Sequence, residues 1–325
     1  MRHSLKYIGL VILVLLFLAA SCKTGRKEGN QDPVKVTTLR GPAGISMVHM
    51  MDSSTQLDGR QVHYQIKNEP MQVRPLLFQE KTDFAVVPTN MAAILYNKGV
   101  NYQLAAIPVW GTLYLFGSDP QIQGWSDLKG KKIHLMARGM TPDVMFRLLL
   151  KENGIDPQKE VSLDYSFPTH IELANAVASG KASLAVISEP MISMVMHKNP
   201  KVQPLISLNE AWEAYADSEI PQTALLVHKP LAQSNPSLVK DFLKAYRRSI
   251  QWINHHPRQG GQRVVHYNIL NNADVASQSI PRCNLHFEAA YPIRGQVNDY
   301  LKTFYRMNPD IVGGKIPDEN FFFQK

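Results

Sequence analysis

The chain has 325 residues, 44% of them hydrophobic and 19% charged, with 21 Pro and 19 Gly spread along it. That is enough apolar material for one large or two medium cores, and it excludes wholesale disorder and collagen-like repeats. The formal net charge is +8. This mild basic balance comes without a Lys/Arg stripe interleaved with aromatics, and the densest run, Lys129 to Lys132, reads as a solvated turn before a strand, so nucleic acid is not an expected partner.

Residues 1–21 read as a signal peptide. Arg2, His3 and Lys6 precede a short apolar run, Tyr7 to Ala20, which is brief for a membrane span and long enough for an export signal. Its removal leaves 33 Lys and Arg against 27 Asp and Glu, a net charge of +6. The run ends in LAASC, which resembles a bacterial lipobox and makes Cys22 the expected lipidation site. Ala19 departs from that pattern, since Leu is commonest three residues before the cysteine. The alternative is an ordinary signal cut nearby, with Cys22 incidental. Residues 22–33 are polar and aperiodic, as expected of a tether. Cys283 is the other cysteine, so no disulfide and no metal site are expected.

From Val34 onward, short β-branched runs alternate with amphipathic segments, the pattern of α/β layers. Strands are predicted at 34–39, 62–67, 83–87, 102–110, 112–116, 131–136, 183–187 and 223–228. Helices are predicted at 45–53, 71–80, 89–98, 142–153, 170–179, 190–198, 238–256 and 294–307.

Two internal echoes organise these elements. KTDFAVVPTNM (81–91) matches KASLAVISEPM (181–191), and TTLRGPAGISM (37–47) matches HLMARGMTPDVM (134–145). Two halves built alike imply two similar α/β lobes, although strand–turn–helix units echo commonly. Lobe I is placed at 34–111 plus 231–325 and lobe II at 112–230. A two-stranded hinge joins them, with crossings near 112–117 and 221–228 and a ligand cleft between the lobes.

Each echo sets a strand's carboxyl end and a helix's amino end at one edge, where open α/β sheets bind ligands and free helix N–H groups attract anions. In the second lobe the turn is Arg138, Gly139, Met140, Thr141 and Pro142, with Thr141 as N-cap and Pro142 opening the helix. In the first lobe Gly41, Pro42 and Gly44 precede Ile45. Thr89 and Asn90 either cap a helix or bond a ligand. Glu189 either steadies the next helix end or receives a ligand amino or hydroxyl group. Met47, Met91, Met140 and Met191 suit an adaptable cleft wall or the core. Trp110 offers a flat face to a ligand or packs at the hinge.

These residues resemble the periplasmic substrate-binding proteins of ABC importers of the nitrate, sulfonate, taurine and thiamine-pyrimidine-precursor type, over nearly all of 34–325. GPAGISM (41–47), KTDFAVVPTNMAA (81–93), WSDLKGKKIHL (125–135), ELANAVASGKASLAVISEP (172–190) and PQTALLVHK (221–229) carry the likeness, with RGMTPDVMFRLLLKENGID (138–156) and ADVASQSIPRCNLHF (273–287). The resemblance implies ligand contacts from Gly44, Ile45, Thr89, Asn90, Met140, Thr141, Glu189, Pro221 and Gln222. It also implies lobes closing on a ligand, with the C-terminal helices rejoining the first lobe.

The expected function is an extracytoplasmic solute-binding lipoprotein. It would be a membrane-anchored monomer without cofactor, passing a small organic or oxyanionic nutrient to an ABC permease and ATPase. An enzyme on the same scaffold, of thiamine-pyrimidine or menaquinone-pathway type, is the alternative. No HExxH, P-loop, GxGxxG or local Ser/His/Asp signature speaks for it, and the cysteine-rich motif of pyrimidine synthases is absent. Arg40 and Arg138 favour an oxyanion, whereas Glu189, Trp110 and the methionines favour an amino-bearing aromatic.

Overall fold

A computed structural model of the chain describes residues 32–136 and 138–324. The signal segment and Cys22 lie outside the described residues. From Val34 onward the chain forms one compact unit containing two α/β lobes, each built on its own sheet. In chain order the strands are β1 (Val34–Leu39), β2 (Gln56–Leu57), β3 (Arg60–Lys67), β4 (Phe84–Pro88), β5 (Tyr102–Val109), β6 (Leu113–Gly117), β7 (Lys132–His134), β8 (Ser162–Asp164), β9 (Leu184–Ser188), β10 (Gln203–Ser207), β11 (Thr223–His228) and β12 (Leu285–Ala289).

The larger sheet runs β12-β5-β11-β4-β1-β3-β2 and the smaller β10-β6-β9-β7-β8. The sequence echoes have a topological counterpart here. In the first sheet β3, β1 and β4 are parallel and β11 lies antiparallel against β4. In the second, β8, β7 and β9 are parallel and β6 lies antiparallel against β9. The echoed segments 81–91 and 181–191 thus hold β4 and β9, and 37–47 and 134–145 begin at the carboxyl ends of β1 and β7. β4 and β9 are buried along nearly their whole length, because parallel strands covered on both faces need continuous apolar runs rather than alternation.

Each crossing delivers the antiparallel strand of the sheet it enters. β6 follows the first crossing into the second sheet, and β11 follows the return into the first. The sequence placed 223–228 inside a lobe II ending at 230, but β11 pairs with β4 and β5 in the larger sheet. The second sheet's contribution therefore ends before Thr223.

The crossings are laced together. The Gln222 amide oxygen accepts the Thr112 N–H at 2.8 Å, and its NH₂ donates to the Thr112 hydroxyl at 3.0 Å. Gly111 sits between β5 and β6 where an added Cβ would lie 2.0 Å from Asn209 Oδ1, so any other residue there forces Asn209 to move. The C-terminal part returns to the first lobe. Helix Pro236–His255 packs on helix Pro42–Ser53, with the Ser46 and Tyr246 hydroxyls 2.7 Å apart and Phe242 stacked on Phe84.

Candidate functional site

The carboxyl ends of the parallel strands of both sheets open onto one cleft of about 550 Å³. From the first lobe come Leu39 to Ala43 after β1, Asn68 to Met71 after β3, and Pro88 at the end of β4. From the second come Met136 beyond β7, Pro168 to Ile171 beyond β8, and Ser188 to Met191 at the end of β9. The wall is mostly apolar, and its charged side chains are Arg40 and Glu69 on one side and Arg138 and Glu189 on the other.

Gly41 turns the chain out of β1 at φ 105°, a region open mainly to glycine, and Pro42 opens the helix that follows. Arg40 beside it is exposed. Burial raises the Glu69 carboxyl above its ordinary pKa.

In the second lobe a polar network fixes the turn carrying Arg138. Asp143 Oδ2 accepts the Gly139 N–H at 2.8 Å, and Asp143 Oδ1 accepts from Arg147 Nε and the Tyr165 hydroxyl at 2.6 Å each. The Arg138 guanidinium lies 5.2 Å from the Tyr165 ring centre, a cation–π geometry. His170 opens helix His170–Ala178, which is capped by Thr169 and Glu172. Desolvation in the cleft wall lowers its imidazole pKa below 6.5.

Glu189 is already engaged. Its side chain is 0% exposed, Oε1 accepts from Arg282 Nε at 2.5 Å, and Oε2 accepts from the Ser193 N–H and hydroxyl at 3.1 and 2.8 Å. Arg282 also donates to Ser193 Oγ at 2.6 Å. Arg282 follows helix Ala273–Ser279, which packs against helix Met191–Lys198 and against helix Pro257–His266. The pair therefore bridges the lobes, and the carboxylate is committed to protein partners.

Among the expected contacts, Arg138, Met140, Thr141, Glu189 and Gln222 line the cleft, whereas Gly44, Ile45, Thr89, Asn90, Trp110, Gly139 and Pro221 do not. Gly44 is a packing glycine, since an added Cβ would sit 2.7 Å from the Leu39 carbonyl oxygen. Ile45 and Thr89 are fully buried, and the Thr89 hydroxyl has no hydrogen-bond partner among the described residues. Trp110 is 1% exposed, stacks on His286 and donates its Nε1–H to the His286 carbonyl at 3.1 Å. That is hinge packing rather than a ligand face.

Thr141 was expected as an N-cap, but Met140 occupies that position. The Thr141 hydroxyl instead donates to Asn90 Oδ1 at 3.2 Å, a second bond between the lobes. Met140 and Met191 line the cleft, while Met47 and Met91 belong to the core. Glu69, Met71, His170 and Ile171 were not anticipated as cleft residues; they sit at the amino ends of the helices after β3 and β8, turns outside the two echoed units. Arg282 is 93 positions from Glu189, and no local signal links the two.

The comparisons with known proteins agree with this geometry. The model of the family described as NMT1/THI5 like matches residues 56–260. The chain belongs to the NMT1/THI5-like family. A solved ABC transporter protein from Parabacteroides distasonis is 28% identical to it, with a TM-score of 0.80 over 90% of this chain and 99% of that one. The periplasmic aliphatic sulphonate-binding protein SsuA of Escherichia coli, 14% identical, superposes at TM-score 0.72 over 90% and 92% of the two chains, which shows a shared fold. The Bacillus subtilis protein provisionally named binding protein YtlA is 26% identical over 146 residues, 45% of this chain and 42% of that protein. This NMT1/THI5-like chain therefore has the two-lobed fold of substrate-binding proteins of ABC transporters.

Proposed function

We propose that the protein is the extracytoplasmic solute-binding component of an ABC importer. It captures a small organic or oxyanionic nutrient between its lobes and delivers it, without chemical conversion, to a permease and its ATPase. The observation that carries this reading is the cleft itself, walled by both lobes at the carboxyl ends of their strands and bridged on its margins by the Glu189–Arg282 and Thr141–Asn90 contacts. A ligand touching both walls favours the closed arrangement by its differential affinity for it. The similar proteins named as ABC transporter and sulphonate-binding components support the same reading.

With Glu189 engaged by Arg282, the charged side chains that line the cleft without an ion-pair partner among the described residues are Arg40, Arg138 and Glu69. Two of the three are cations beside apolar walls, which favours a ligand with an apolar body and an acceptor or anionic end. Cys22 anchors the mature monomer by lipid to the outer side of the membrane.

Mass spectrometry of small molecules released from protein purified without refolding identifies the ligand, and titration calorimetry with that compound measures its binding. Recovery of the compound unchanged after prolonged incubation is expected. Conversion of it, or the absence of any saturable small-molecule binding, rejects the proposal.

A further inference from the structure

Residues 34–325 contain 30 Lys and Arg against 25 Asp and Glu, and residues 236–266 alone contain six against one. The excess positive charge of the body thus lies on two consecutive helices, Pro236–His255 and Pro257–His266, and the remainder is balanced. Helical winding places Lys240, Lys244 and Arg248 in one stripe at four-residue spacing, with Arg247 on the same helix and Arg258 on the next, all exposed.

The densest basic run of the sequence, Lys129–Lys132, is neutralised locally, since each of its lysines has an acid within 3.0 Å: Glu160, Asp119 and Asp164. Of the helical set Arg263 pairs with Asp52, whereas Lys240, Lys244, Arg248 and Arg258 have no ion-pair partner among the described residues. The opposite face of the long helix is firmly seated, with Leu238, Phe242, Tyr246, Ile250 and Ile253 buried.

This face has cations without an anchor. A protein interface of any strength has an apolar or aromatic centre, and the exposed large hydrophobics Met71, Phe78, Ile171, Tyr215 and Tyr305 all lie on other elements. Phe242 and Tyr246 are buried, and the half-buried Trp252 is already stacked on His49 and His256, so the helix offers no free stacking platform for bases. Long, mobile cations of this kind match a fluid surface of negative headgroups. We propose that the stripe of Lys240, Lys244 and Arg248, with the exposed Arg258 on the helix that follows, rests on an anionic lipid bilayer. Neither helix contributes a residue to the cleft wall, so such docking leaves ligand entry free. The inference is reinforced by the anchoring reading, because residues 23–33 span at most about 40 Å when fully extended and would keep the body within reach of the membrane.

The test uses the chain from Lys23 onward, which carries no acyl group and retains the compact unit beginning at Val34. It is sedimented with vesicles of phosphatidylcholine, with or without one-third phosphatidylglycerol. Binding to the anionic vesicles, weakened by salt, is expected. Neutralising Lys240, Lys244, Arg248 and Arg258 to Gln should reduce it about fivefold per residue and several hundredfold together. The matching Gln variant of Lys129, Lys131 and Lys132 should bind as wild type does. Unchanged circular dichroism and melting establish that both variants fold. Equal sedimentation with neutral and anionic vesicles, or undiminished binding by the fourfold variant, overturns the proposal. So does a fourfold variant that loses only nutrient uptake, since the face would then meet the permease. Because no acyl chain is present, the result is independent of whether Cys22 is lipidated.

Discussion

The Glu189–Arg282 pair makes an asymmetric prediction. Replacing Arg282 with Met leaves a carboxylate that is 0% exposed with only Ser193 as a partner. Stripping one member from a buried pair costs about 3–5 kcal/mol. Replacing Glu189 with Gln should cost less, about 1.5–3 kcal/mol. The Gln oxygen still accepts from Ser193, and Arg282, 37% exposed, can turn to water. The double variant should be close to Glu189→Gln alone, because the stranded charge is gone. Urea unfolding followed by circular dichroism reads all three.

Equal costs for the two single variants, or additive costs in the double, would each refute the assignment of Glu189 as an internally neutralised charge.

Gly111→Ala should destabilise by about 1–3 kcal/mol, because its Cβ meets Asn209 Oδ1 at 2.0 Å, and adding Asn209→Ala should recover part of the loss, since the Asn209 Cβ still lies 2.8 Å away; no recovery counts against that contact. A double-mutant cycle of Thr141→Val with Asn90→Ala should give a coupling of about 0.5–1.5 kcal/mol in unfolding experiments, and zero coupling would remove this bridge between the lobes. His170 should titrate below 6.5 in the folded protein by NMR, as desolvation predicts. Stability should then fall as pH drops below 6.5, because the unfolded chain takes up the proton first, and a folded-state titration at or above 6.5 contradicts the desolvated placement. Cys22→Ala should move the protein from the membrane fraction to the soluble fraction or stall its processing, and equal membrane retention argues against the lipid anchor.

The alternation of β-branched runs with amphipathic segments determined the α/β class and eight of the twelve described strands, because strands buried within a covered sheet carry apolar runs. The repeated strand–turn–helix units determined that two lobes exist and that their turns face a cleft. Weaker elements were illegible for physical reasons. β10 is an edge strand with little fully buried surface, so it lacks a strong pattern. Helix Pro257–His266 contains Gly260 and Gly261, which local propensity counts against a helix. Close packing requires them, since added Cβ atoms would lie 2.8 Å from Ile253 Cγ1 and 2.4 Å from the Ala273 carbonyl oxygen.

At the site, the sequence determined which turns approach the cleft, and Arg138, Met140 and Thr141 follow from that, whereas Gln222 followed from the family resemblance. Only the tertiary structure decided which side chains are spent inside the protein. Glu189 finds Arg282, Thr141 finds Asn90 and Trp110 finds His286, each across a long sequence separation. A buried polar or aromatic group takes whichever partner the fold brings within reach, and that choice depends on how distant elements pack rather than on the residues beside it in the chain.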